Sequence, residues 1–171
     1  MEIIEFKEKA LPLKNKLFRI ARRLLNSYEE AEDALQEVYL KLWEKRDSFS
    51  EYKSIEAFAV TMIKNQCIDF LRKKSRTFSE IDEESMSGFS INPEKNFDNR
   101  EMFEKINNII NQLPENQKLA MQMRDIEGFE IKEIADILQT SIGNVRVILS
   151  RARTEVRNIL INKYKFNYEK N

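Results

Sequence analysis

The sequence predicts an all-α protein that is built from two small helical domains. Only 3 glycines and 3 prolines occur in 171 residues, so the chain has little of the turn chemistry that a β-rich fold needs between short strands. Apolar residues make up 42% of the chain and charged residues 34%, which allows a buried core and excludes disorder throughout. Apolar residues recur at three- and four-residue steps in several segments, as they do in amphipathic helices.

The first predicted domain comprises residues 1–74. Its first amphipathic helix is indicated by Leu17, Ile20, Ala21 and Leu24. Ser27 and Glu30 form a capping-box pattern that begins a second helix, which is predicted to end at about Arg46. The buried face of this second helix is formed by Ala31, Leu35, Val38 and Leu42.

A third helix of this domain is predicted from about Ser54 to Lys74. The stretch that follows, residues 75–100, breaks the periodic pattern, since it contains Gly88, Pro93 and three basic residues against six acidic ones. We interpret this stretch as a flexible acidic linker between two domains, because structureless loops of this length are uncommon inside a compact domain. A long surface loop within a single domain is the alternative.

The second predicted domain comprises residues 101–171 and begins with two helices. The first is predicted to stop before Pro114, which suits the first position of the next helix. That next helix is predicted to end at Gly128, since glycine tolerates the positive φ of a helix C-terminus.

A helix-turn-helix pattern follows. A short helix at 131–138 leads through the turn Gln139-Thr140-Ser141 into a long basic helix at about 142–161, an arrangement that places a recognition helix in the major groove of DNA. Arginine suits guanine, asparagine suits adenine, and valine methyls suit thymine. The side chains predicted to contact DNA are Ser141, Asn144, Arg146, Val147, Ser150, Arg151 and Arg153. A basic helix that is merely solvated is the alternative.

The composition also limits the function. The chain has no histidine and a single cysteine, Cys67, which excludes an internal disulfide and a zinc site. The missing histidine also removes the commonest general base, and the sequence has no Gly-rich phosphate loop, so we predict no enzymatic activity, no cofactor and no metal. The sequence lacks a signal-peptide pattern and any apolar run long enough to span a bilayer, which predicts a cytoplasmic protein without membrane insertion.

The net charge of zero, from 29 basic and 29 acidic residues, does not argue against a nucleic-acid partner. Residues 72–76 and 146–157 are two local clusters of basic side chains. Because a nucleic-acid footprint depends on local clustering and not on the total charge, both clusters are candidate DNA contacts.

Both domains resemble the sigma-70 family of promoter-recognition subunits of RNA polymerase. The segment from Leu113 to Arg153, which includes Leu-Pro-Glu-Asn-Gln-Lys and the helix-turn-helix, resembles region 4 of the family. Residues 30–38 with Leu42-Trp43 are similar to the region 2 helix that docks on the polymerase clamp, and residues 64–74 are similar to the helix that opens the −10 element. The chain has no room for the larger regions 1.1 and 3, so it is most similar to the extracytoplasmic-function (ECF) group.

This resemblance implies partners and site residues. Contact with the clamp of the largest polymerase subunit is implied for Asp33, Gln36 and Glu37. Capture of the single-stranded −10 element, with a flipped base, is implied for Asn65, Asp69, Arg72, Lys73 and Lys74. The recognition helix would read the −35 element, the flap of the second polymerase subunit would be a further contact, and an anti-sigma factor is the expected regulator. Read from the residues alone, the acidic positions could instead be a solvated face, and Asn65 and Asp69 a hydrogen-bond network on the helix surface.

The chain departs from the family pattern at three places. Gln139 stands where the family usually has the turn glycine, which implies backbone strain if its φ is positive. Phe58 and Ala59 stand where the family often has Trp-Leu, and Val147 and Ile148 replace positions that are frequently polar or basic. The substitutions at Val147 and Ile148 imply an altered promoter preference.

The favoured function is that of a sigma factor, which binds core RNA polymerase and directs promoter-specific transcription initiation. A conventional helix-turn-helix regulator is the alternative, but it would need a dimerisation or effector domain, whereas residues 1–74 offer a clamp-docking motif. An adaptor that binds only proteins would leave the arginines of 146–153 unexplained. Binding to a palindromic operator without polymerase would favour the regulator, and function without any DNA would favour the adaptor.

Overall fold

All the regular structure of the described residues is helical, in agreement with the predicted fold class. The computed structural model describes residues 3–78 and 97–164. The first domain contains the helices α1 (Ile3–Ala10), α2 (Lys14–Leu25), α3 (Tyr28–Glu44) and α4 (Ile55–Phe78). The second domain contains the helices α5 (Phe97–Gln112), α6 (Glu115–Met121), α7 (Ile131–Leu138) and α8 (Ile142–Tyr164). The two domains contact each other through α2 and α4 of the first and α6 and α7 of the second.

The core of the first domain lies between α2, α3 and α4. The four apolar residues predicted for the first helix and the four predicted for the second are all buried. Ser27 caps α3, because its Oγ accepts a hydrogen bond from the backbone N–H of Glu30 at 3.3 Å. The Glu30 carboxylate accepts instead from Nζ of Lys74 at 2.7 Å. The serine of the predicted capping box therefore caps α3, whereas the glutamate connects α3 with α4.

Helix α4 continues four residues beyond its predicted end. Residues 75–78 contain neither glycine nor proline, and Arg76 places a positive charge in the last turn, where it favours the helix dipole. At the other end of the predicted linker, α5 begins at Phe97. The rest of the linker, 79–96, with Gly88 and Pro93, lies outside the described residues.

In the second domain, Pro114 precedes α6 and does not occupy its first position. Its ψ of 147° is not helical, so it serves as the residue before the helix. A single π-helical turn, Gln122–Ile126, follows α6. Gly128 then has a φ of +77°, as predicted for the end of this segment. Helix α7 begins with a capping box between Glu130 and Glu133 that the sequence analysis did not identify.

The short helix and the turn of the helix-turn-helix have the predicted boundaries, whereas α8 continues to Tyr164, three residues beyond its predicted end. Ser141 caps α8, since its Oγ accepts from the backbone N–H of Asn144 at 3.0 Å. Gln139 has φ 53° and ψ 49°, which is the left-handed conformation that costs a non-glycine residue free energy. The inward face of α8 is formed by Val145, Leu149, Ala152 and Val156, all buried.

Replacing Gln139 with glycine should stabilise the protein, because glycine adopts the left-handed conformation without strain. We expect Gln139→Gly to raise the free energy of unfolding by about 0.5–1 kcal/mol in urea denaturation. The matched control is Glu155→Gly at an exposed position inside α8, which should lower the same free energy by about 1 kcal/mol. A loss of stability in Gln139→Gly would contradict the assigned strain.

Candidate nucleic-acid and polymerase interface

The structure brings the predicted DNA-reading side chains together on one exposed face of α8. Because the opposite face of α8 is buried against α6 and α7, these side chains point outward. The exposed residues of this face are Asn144, Arg146, Val147, Ser150, Arg151 and Arg153, with Ser141 at its N-terminal end. Val147 is 44% exposed although it is apolar, as expected of a methyl group that contacts a base edge.

The side chains of Asn144 and Arg153 on this face donate hydrogen bonds to other side chains of the protein. The side-chain amide of Asn144 donates to Oγ1 of Thr140 at 2.8 Å. The guanidinium of Arg153 donates to both carboxylate oxygens of Asp125, at 3.2 and 2.5 Å, and these hydrogen bonds raise the pKa of Arg153. A DNA phosphate would therefore have to compete with Asp125 for Arg153.

An arginine groove, which we define as Arg124, Arg146, Arg153 and Arg157, lies beside the DNA-reading face. Arg124 belongs to the π-helical turn, where its Nη1 donates to the carbonyl oxygen of Phe129 at 2.7 Å. Four guanidinium groups line this concavity and suit DNA phosphates, but Arg124 is paired with Glu130 at 3.4 Å and Arg153 with Asp125. Arg124 is not among the residues predicted from the sequence, because periodicity within α8 cannot indicate which residue of another element lies alongside.

The residues predicted to contact the −10 strand lie on the outer face of α4. Asn65, Asp69, Arg72 and Lys73 are exposed along this helix, as is Lys74, which forms the ion pair with Glu30. The inner face of the same helix carries Cys67, which is buried. Burial raises the pKa of the Cys67 thiol to about 12, so the thiol is protonated and acts as a small apolar group.

An aromatic pair lies at the N-terminal end of α4. The rings of Phe58 and Tyr52 are stacked, with centroids 3.8 Å apart and an interplanar angle of 16°. Phe58 is half-buried, while Ala59 is fully buried. Tyr52 thus supplies a second ring at the place where the family often has a Trp-Leu pair.

The predicted clamp contacts are exposed together on α3. Asp33, Gln36 and Glu37 all face outward, and Glu37 forms an ion pair with Lys41 at 3.4 Å. Leu40, one turn further along, is 61% exposed. The face therefore combines acidic and amide groups with one large apolar side chain.

Comparison with known proteins identifies the family to which this chain belongs. The family model described as sigma-70 region 2 matches residues 12–77, and the model described as sigma-70 region 4 matches residues 103–156. The chain belongs to the sigma-70 family. It is similar to the ECF sigma factor SigW of Bacillus subtilis (strain 168), with 26% identity over 84% of this chain and 82% of SigW. It is also similar to the ECF sigma-E factor of Escherichia coli (strain K12), with 29% identity over 74% of this chain and 71% of that relative.

A solved structure supports the same assignment. The sigma factor RpoE of Bartonella quintana, crystallised in complex with the anti-sigma factor NepR, matches this chain with a TM-score of 0.81 and 25% identity. The match covers 94% of this chain and 99% of RpoE, so the two chains share the arrangement of their domains as well as the fold of each. The protein is thus an ECF sigma factor that directs promoter-specific transcription initiation, and it is not an enzyme. None of the described helices is both long and apolar enough to cross a membrane.

Proposed function

We propose that the exposed face of α3 is the surface that binds the polymerase clamp. Asp33, Gln36 and Glu37 supply polar contacts, and Leu40 lies beside them as an exposed apolar group. Protein interfaces commonly combine an apolar centre with a polar rim, and Leu40 with its three polar neighbours has this composition. Binding to the clamp would then position α4 next to the melted promoter.

We further propose that the outer face of α4 holds the non-template strand of the −10 element. Asn65 and Asp69 offer hydrogen bonds to a flipped base, while Arg72, Lys73 and Lys74 approach its phosphates. The Tyr52–Phe58 stack lies about two turns before Asn65 on the same side of α4, since position 58 precedes position 65 by seven residues. Single-strand binding surfaces combine aromatic platforms with basic side chains in this way.

The second domain is proposed to read the −35 element with α8. The observation that carries this proposal is the single exposed face on which Asn144, Arg146, Val147, Ser150 and Arg151 lie together, with the arginine groove beside it. Side chains near the start of a recognition helix reach base edges, whereas basic residues further along contact phosphates.

The same proposal implies a cellular compartment, a regulator and a further polymerase contact. A factor that acts with RNA polymerase in bacteria works in the cytoplasm, where we place this protein. An anti-sigma factor is the proposed regulator, because the similar RpoE is bound by the anti-sigma factor NepR. The flap of the second polymerase subunit is the further contact proposed for the second domain.

Reversing the charges on α3 should weaken binding to core RNA polymerase. We expect the double variant Asp33→Lys/Glu37→Lys to bind at least about tenfold more weakly in a pull-down titration, because like charges at an interface are strongly unfavourable. The control is Glu8→Lys/Glu104→Lys, which makes the same change in net charge at exposed positions outside α3 and should bind normally. Unchanged affinity in the α3 variant, with its helical circular dichroism intact, would rule out this surface.

Asp69→Ala should impair promoter opening more than promoter binding. The carboxylate of Asp69 is proposed to act only on a base that has left the duplex, so closed-complex affinity in a gel shift should change little. Permanganate reactivity of the −10 thymines should fall several-fold. Equal losses in both measurements would count against the flipped-base role, and Glu56→Ala provides a control on the same helix.

Two arginines of α8 should have different roles: Arg146 should contact bases and Arg153 should contact phosphates. We expect Arg146→Ala to cost about 1–3 kcal/mol on the preferred −35 sequence and to relax sequence preference there. Arg153→Ala should weaken binding to all sequences alike and reduce the salt slope by up to about one unit, less if Asp125 retains the arginine.

The measurement for this pair is run-off transcription with purified core polymerase over a randomised upstream element, at two salt concentrations. Transcription from some templates only when the protein is added tests the sigma function itself. If Arg146→Ala leaves the sequence preference unchanged, the recognition face on α8 is wrongly assigned.

A further inference from the structure

Asn144 lies exposed on the DNA-reading face of α8, yet hydrogen bonds hold both its backbone and its side chain. Its backbone N–H donates to Oγ of Ser141 at 3.0 Å, which is the cap of the helix. Its side-chain Nδ2 donates to Oγ1 of Thr140 at 2.8 Å. An exposed asparagine without such a bond exchanges between rotamers. The bond to Thr140 therefore selects one orientation of the Asn144 amide before DNA is present.

Thr140 is itself fixed by the end of α7. Its backbone N–H donates to the carbonyl oxygen of Ala135 at 2.9 Å, and the left-handed conformation of Gln139, with φ 53° and ψ 49°, allows this turn to close. Asn144 is the third residue of α8, a position from which a side chain can reach back across the helix cap. The strained residue of the turn thus places a threonine hydroxyl beside the recognition helix.

The bonded orientation of Asn144 leaves one donor and one acceptor for DNA. A carboxamide nitrogen carries two hydrogens, and Thr140 accepts one of them. Because the group is planar, its oxygen points away from Thr140. Within the described part of the chain, neither the second hydrogen nor this oxygen forms a hydrogen bond. Adenine presents the matching pair in the major groove, with an acceptor at N7 and a donor at N6, whereas guanine presents two acceptors.

The size of the effect follows from the orientations that the hydrogen bond removes. Without the hydroxyl, a helical asparagine has about two favourable χ1 wells and about two orientations of its amide, or roughly four arrangements. The apparent affinity of a binding group falls with the fraction of molecules in the competent arrangement. Loss of the hydroxyl should therefore weaken an adenine contact by up to about fourfold, and contacts made by other side chains of α8 should not change.

We propose that Thr140 is a positioning residue for promoter recognition, which holds Asn144 so that α8 prefers adenine at one position of the −35 element. This inference rests on the proposed reading of that element by α8. Thr140 acts through Asn144 and needs no contact of its own with a base.

The first arm of the test examines the hydrogen bond in the free, full-length protein. Thr140→Val removes the hydroxyl and keeps the shape of the side chain, whereas Thr140→Ser keeps the hydroxyl and is the matched control. In nitrogen–proton correlation spectra, the side-chain amide signals of Asn144 should move in Thr140→Val towards those of a solvated asparagine. They should stay near the wild-type positions in Thr140→Ser. Circular dichroism and urea denaturation should show that both variants fold.

The second arm measures base preference with the protein bound to core RNA polymerase, over promoters with a randomised −35 element. Asn144→Ala should abolish a preference for adenine at one position, which identifies the base that Asn144 contacts. At that position, Thr140→Val should lower the preference about two- to fourfold, and Thr140→Ser should retain it. The preference that depends on Arg146 should be the same in both Thr140 variants.

Several results would overturn the positioning role: an unchanged adenine preference in Thr140→Val, an equal loss at every position, or a loss that Thr140→Ser shares. A preference for guanine that depends on Asn144 would also overturn it, because the amide would then have the opposite orientation. If Arg146→Ala alters base preference and Asn144→Ala does not, the proposal alone is wrong. If neither variant alters it, the assignment of α8 fails and the proposal fails with it, even where the spectra still show the Thr140–Asn144 hydrogen bond.

Discussion

Helix α2 packs against two domains at once, and the rest of the structure depends on it. Its apolar face, with Leu17 and Ile20, is completely buried in the core of the first domain. A neighbouring face of α2 binds the second domain, since Arg19 donates to Glu127 and Arg23 donates to Gln122. Because two neighbouring faces of one helix keep a fixed relation to each other, the same element fixes the first core and the position of the helix-turn-helix relative to it. A residue change on either face therefore acts on the whole arrangement.

Most of the fold could be predicted from the sequence, because periodicity reports which face of a helix is apolar. The bounds of α7 and of the turn after it were predicted correctly for that reason. The positive φ of Gly128 was predicted from the freedom of glycine, and strain at Gln139 was implied by the family pattern. The end of α4 was wrong by four residues, since polar residues without glycine or proline do not mark where a helix stops.

The polar contacts between distant elements could not be predicted. Arg19 and Glu127 are 108 residues apart, and no local pattern distinguishes an arginine that will find a buried carboxylate from one that stays in solvent. The same applies to Arg124 in the arginine groove and to the Arg153–Asp125 ion pair, which requires the π-helical turn to bring Asp125 beside α8. The sequence therefore predicted which site residues share one face of a helix. It did not predict which side chains of other elements bind those residues.

The arginine groove is embedded in a chain whose 29 basic and 29 acidic residues cancel. The protein therefore has no net charge to draw DNA from afar, and at physiological ionic strength the field of the groove decays over about 8 Å. Such a field acts mainly on a duplex that is already close to the protein, because it comes from a local cluster of arginines and not from a net charge. The role proposed for the groove is therefore the final alignment of a duplex with the exposed face of α8.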